Sequence, residues 1–123
     1  MSNVAVRFDG DMSKEDPDIF RAAENGDLDE LQAALDAGQS LQDRKATQAF
    51  MTPVHVAAWN GRQDFVVKAC EIDPEAANMV DGYNNYPVEY SIQRGDYTAS
   101  DALRNVMTWL TQPFENADYN FDT

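Results

Sequence analysis

The chain has 123 residues, one cysteine and a net charge of −13, from 22 acids against 9 bases. That length holds one domain or a short repeat array, a single cysteine excludes an internal disulfide, and no apolar run approaches the length of a membrane span. So acidic a surface repels nucleic acid and anionic lipid and favours basic partners; with no signal-peptide pattern ahead of the first acids, the expected location is cytoplasmic.

Residues 1–16 read as a loosely attached arm, in which Asn3 to Phe8 alternates as a short strand would before the polar run Asp9 to Asp16. Asp16-Pro17 carries the cap-then-proline signal of a helix start. Ile19, Ala22 and Ala23 are expected inward, and Gly26 ends the element. A second helix follows with the stripe Leu28, Leu31 and Leu35, surrounded by Glu24, Asp27, Asp29, Glu30, Gln32 and Asp36. Such a polar outer face suits the end of a stack. Leu41 to Met51 is a long junction, expected to project as a hairpin or turn.

The clearest element is Thr52-Pro53-Val54-His55-Val56-Ala57-Ala58-Trp59-Asn60-Gly61. Thr52 is the N-cap and Pro53 takes the first helical position, where its missing N–H costs nothing. Ala57 and Ala58 let another helix come close, and Gly61 supplies a left-handed turn cheaply. Phe65, Val66, Ala69 and Cys70 then recur at helical spacing. Pro74 is a stop, and Glu75 to Asn78 add a short turn. A third unit runs from Asp81 through Pro87 to Gly95. There Asn84 is the residue suited to positive φ, and Ser91-Ile92 replace the alanine pair. The isoleucine is too large for the same close stacking, so the packing is expected to change. Asp96 to Ser100 reads as an insertion. A closing helix from about Ser100 to Thr111 would turn Leu103, Val106, Met107 and Leu110 inward. Residues 113–123 form an acidic, aromatic tail. Its Asn116, Asp118, Asn120 and Asp122 alternate as calcium ligands do, but without the loop glycine or a closing glutamate.

Gly26, Gly61 and Gly95 fall 35 and 34 residues apart. The motif from Thr52 to Gly61 resembles the ankyrin repeat signature T-P-L-H-x-A-A-x-x-G, with Val54 for leucine, and that family's period is about 33 residues. Ala22-Ala23-Glu24-Asn25-Gly26 repeats its ending, and Asp81 to Pro87 repeats its beginning. The resemblance covers residues 17–112 in three units, near 17–46, 47–80 and 81–112. It implies a mainly α fold, an ankyrin-repeat solenoid of helix-turn-helix units with short hairpin or loop fingers. Thr52, Pro53, His55, Gly61, Pro87 and Gly95 would be its structural motif residues, with His55 hydrogen-bonded in the turn network between neighbouring repeats. Thr47 and Phe50 hold the family's Asp and Gly positions in the long junction. Phe50 is poorly suited to a left-handed turn, so that finger is expected to depart from the family shape.

The family implies a non-catalytic protein-protein interaction module that binds through its concave face. Carried over by position, the partner-binding candidates are Met51, Trp59, Asn60, Tyr83, Asn85, Gln93 and Arg94, with Glu24, Asn25, Gln48, Ala49 and Gly82 at the neighbouring fingertip and helix-end positions. Tryptophan, tyrosine, methionine and arginine are the types enriched at interface hot spots. Trp59 either stands open as an anchor or packs under the 41–51 finger. No cofactor or metal site is expected, since one histidine and one cysteine cannot make a zinc site. No nucleophile–base pair is apparent, so an enzyme is not expected. The expected partner is a protein, for which the acidic charge favours a basic surface, and the chain is expected to be a monomer that binds neither nucleic acid nor membrane. The alternative is an acidic decoy that occupies the nucleic-acid groove of another protein.

Overall fold

Three successive helix pairs set the architecture of a computed structural model that describes residues 16–107. Helices α1 (Ile19–Asn25) and α2 (Leu28–Asp36) form the first pair, α3 (Pro53–Trp59) and α4 (Gln63–Ile72) the second, and α5 (Pro87–Arg94) and α6 (Tyr97–Val106) the third. Short 3-10 turns at Ala46–Gln48 and Pro74–Asn78 lie between them. Among the described residues the only strand-like pairing is an isolated antiparallel bridge from Lys45 to Met51. The mainly α class expected from the sequence is therefore observed. The arm, the tail, the alternating Asn/Asp positions and Leu110 lie outside the described residues.

Within each pair the helices pack together; between pairs, α3 packs on both α1 and α5, and α4 on α6. Alanine makes the close approach possible: Ala22, Ala23, Ala57 and Ala58 are buried along the α1–α3 contact. Phe65, Val66 and Ala69 of α4 meet Leu103 and Met107 in the same core. α3 and α5 run parallel. His55 Nε2, near the start of α3, lies 2.9 Å from the Asn85 carbonyl just ahead of α5. Arg94, at the end of α5, donates to the Trp59 carbonyl at the end of α3, at 3.0 Å.

Several sequence expectations change in detail. The cap of α1 is Asp18, not Asp16, because the Asp18 carboxylate accepts from the N–H groups of Phe20 and Arg21. The Pro17 carbonyl is instead held by the Gln39 side chain, at 2.7 Å. Leu28 was expected inward but is 38 % exposed at the first turn of α2, where the stripe has not yet reached its neighbours. Phe50 does take a left-handed conformation, with φ 57, directly after Ala49 at φ 56. The bridge to Lys45 closes the finger around both. No insertion follows Gly95: Asp96 caps α6, which begins at Tyr97. Ile92 leaves the packing unchanged because it points outward, 48 % exposed, while Ser91 occupies the buried position. Asn84 adopts positive φ, 67, as its residue type suggests.

Candidate functional site

The 41–51 finger, a second finger at residues 81–86 and the C-terminal half of α3 frame a recess of about 310 Å³. Thr47, Gln48 and Ala49 from the first finger, Met51, Val56, Trp59 and Asn60 around α3, and Tyr83 from the second finger line it. Trp59 is 55 % exposed and Tyr83 69 %. Trp59 thus stands open and does not pack beneath the 41–51 finger. Its ring is nonetheless fixed, stacked on Tyr90 with centroids 5.8 Å apart and planes 10° from parallel.

Tyr90, on which Trp59 stacks, is the residue beside the recess that sequence reading missed. It stands on α5 at the place that Val56 holds on α3, and an aromatic there, next to Trp59 one unit earlier, is the signal that could have found it. Its hydroxyl donates a short hydrogen bond to Asp81 and accepts from the Asn85 side chain at 3.3 Å. Asp81 also accepts from the backbone N–H groups of Tyr83, at 2.9 Å, and Asn85, at 3.0 Å. Burial pushes the Asp81 carboxyl upward, but these three donors outweigh it and hold the group below its ordinary range. Burial, reinforced by the bond to Asp81, pushes the Tyr90 phenol up. The second finger and the stacked ring are therefore one charged, hydrogen-bonded assembly.

His55 ties that finger to α3. Its Nδ1 accepts from the Thr52 N–H at 3.2 Å and lies 2.8 Å from the Thr52 hydroxyl. An N–H can only donate, so Nδ1 is unprotonated and Nε2–H donates to Asn85. Burial lowers the pKa of His55, despite the opposing pull of the Asn85 carbonyl and the Asp81 charge. The ring is a neutral strut.

The remaining predicted residues divide. Met51, expected at a binding surface, is 2 % exposed. Its backbone bridge to Lys45 turns it into the core, so it forms only the floor of the recess. Asn60 is exposed at the rim, and its side chain donates back to the Val56 carbonyl at 2.8 Å. Asn85 is half-buried and belongs to the Asp81 assembly. Arg94 and Gln93 are exposed at the end of α5, and neither lines the recess. Of the residues at the neighbouring positions, Gln48 and Ala49 join the recess, and Glu24 reaches it through Gln48, whose side-chain amide nitrogen lies 3.4 Å from its carboxylate. Asn25 lies on a separate groove with Arg62. Gly82 binds the fingers together, its N–H 2.6 Å from the Ala49 carbonyl.

Thr52, Pro53, Gly61, Pro87 and Gly95 take the local roles expected of them. Thr52 caps α3, Pro53 and Pro87 occupy first helical turns, and both glycines are left-handed. At Gly61 the requirement for glycine is its left-handed backbone, since the exposed Arg94 guanidinium beside it could swing away from an added side chain. The groups that could do chemistry are placed otherwise. The Cys70 thiol is pushed up to about 11 by burial and the neighbouring Glu71. Among the described residues no three of His, Cys, Asp and Glu converge as a metal ion would need, and no helix is long and apolar enough to cross a membrane.

No family model matches the chain, and no curated protein matches its sequence significantly.

Proposed function

We propose that the chain is an ankyrin-type repeat module that binds a protein partner without catalysis, through the face that carries Trp59 and Tyr83. The observation that carries this reading is the exposed, pre-stacked Trp59. A half-exposed indole held rigid by Tyr90 loses little side-chain freedom on binding, which is the condition for an interface hot spot. The repeat reading is supported by the signature from Thr52 to Gly61, by the parallel α3 and α5, and by the His55 link between consecutive units. Acidic mimicry of nucleic acid is less well supported. Asp18, Asp27, Glu89 and Asp96 each accept a backbone N–H at a helix start, and Glu30 pairs with Arg21. Those acids hold the fold and do not form a regular stripe.

Trp59→Ala tests the reading. The melting temperature should fall only slightly, because the loss is one exposed stack worth about 1 kcal/mol. Capture of the partner should weaken by at least ~2 kcal/mol, the scale of a hot spot. Unchanged capture by a folded Trp59→Ala, Tyr83→Ala double variant would rule the face out.

A further inference from the structure

Charge is unevenly divided between the two layers of helices. Among the described residues, the second helix of each pair with its flanking turns (27–40, 62–80 and 96–107) holds ten acids and three bases, and the rest of the described chain holds six and four. A basic partner is therefore drawn to the side of α2, α4 and α6, and not to the recess beside Trp59. That side also carries an open groove of about 460 Å³. Asp64, Val67, Lys68 and Glu71, spaced i, i+3, i+4 and i+7, turn one face of α4 to it, and Leu28 of α2 and Thr98 of α6 help to line it. α4 packs closely on α6 but lightly on α2. Leu28 stays 38 % exposed and Val67 half-buried. Apolar side chains set in an acidic concavity suit a docked helix with an apolar edge. The acids are also available. Among the described residues Asp64 has no cationic partner, and Glu71 has only Lys68, at 3.7 Å with both side chains exposed. Such a pair contributes little, so Glu71 can exchange Lys68 for a partner's cation.

We infer that this groove binds a basic amphipathic helix of a partner protein, its apolar edge on Leu28 and Val67 and its flanking lysines or arginines toward Asp64 and Glu71. A helix fits better than an extended strand, because a ridge of side chains at helical spacing can lie against the α4 face. The charge steers the approach and the apolar edge fixes the register. The groove shares no lining residue with the recess, so it stands or falls apart from the Trp59 face.

The test is an NMR titration of the full chain with a blocked helical peptide that carries leucine at i, i+3, i+4 and i+7 and lysine on both flanks. Its control has the same composition, scrambled so that no apolar edge remains. The first peptide should shift the amides of Leu28, Val67 and Thr98 and leave those of Thr47, Gln48 and Tyr83 in place. Asp64→Asn with Glu71→Gln should weaken binding roughly tenfold. Glu75→Gln with Asp101→Asn removes the same charge from the outer side beyond the groove lining and should weaken binding much less. Leu28→Gln, with its fold checked by the urea midpoint, should also weaken binding, and Lys68→Gln should tighten it. The scrambled peptide binding as tightly, equal losses from the two pairs of acid substitutions, or no saturable shift at Leu28, Val67 and Thr98 would overturn the inference. So would undiminished binding by a folded Leu28→Gln, or binding by Lys68→Gln that is no tighter.

Discussion

Gly82 shows how narrow the tolerance is at single positions. A side-chain carbon there would fall 2.8 Å from the Ala49 carbonyl oxygen, a backbone atom that cannot swing away. Gly82→Ala should therefore cost about 1–3 kcal/mol as the two fingers are forced apart, read as a lower urea midpoint. Its need for glycine comes from a neighbour 33 residues away in the chain, and no local pattern announces that. His55 makes the opposite case, since its role could be read from its place after Thr52-Pro53. Its lowered pKa has a definite sign. The unfolded chain takes up a proton near pH 6.5, before the folded chain does, so stability should be flat above that point and fall as the pH drops toward the folded pKa. The chain has one histidine, so the slope of the urea midpoint between about pH 7.5 and about pH 5.5 belongs to it, and His55→Asn should abolish that slope.

At the scale of elements, the α5–α6 contact replaces small apolar residues by two buried serines. Ser91 and Ser100 hydroxyls lie 2.8 Å apart, and each also reaches a backbone carbonyl, Ser91 to Val88 and Ser100 to Asp96. Two protons serve three contacts, so one contact always lacks its hydrogen. Either single change to alanine leaves a buried hydroxyl with fewer partners and should cost about 1 kcal/mol, while the double change should cost less than the two singles combined. Chemical denaturation of the four proteins measures this coupling. Helix existence was legible in the sequence because the caps and glycines are local: Thr52, Pro53, Gly26, Gly61 and Gly95 all act within one turn of themselves. Two starts were misread: at Asp18, because Asp16 and Asp18 lie close together and only three-dimensional geometry selects the one whose carboxylate reaches the free N–H groups, and at Asp96, because Asp96 to Ser100 was read as an insertion. The outward turn of Ile92 was likewise invisible, since the spacing that matched it to Ala58 carries no information about what stands opposite in the last unit. Of the candidate face, the exposure of Tyr83 was legible by position, and that of Trp59 was one of the two readings left open. The burial of Met51 and the support from Tyr90 were not legible, for both depend on how one finger meets the next.

Across the whole molecule, consecutive pairs are joined by side chains that reach into the next unit's backbone. Arg62 donates to the Glu24 carbonyl at 2.7 Å, as Arg94 does to Trp59, and so satisfies a helix-end carbonyl one unit back. His55 makes the reverse connection, from the cap of α3 to the finger before α5. The consequence concerns how the chain breathes. If the third unit lifted away by itself, the buried His55 would lose its acceptor and Trp59 its stacked ring in the same event. Partial opening at that junction is therefore penalised twice, and the second and third pairs should open as one cooperative block. Native-state hydrogen exchange should then give the amides of α3 and α5 a common opening free energy, with α1, which meets α3 through buried alanines and the Arg62 bond but without a counterpart of the His55 and Trp59 links, exchanging by a lower-energy route.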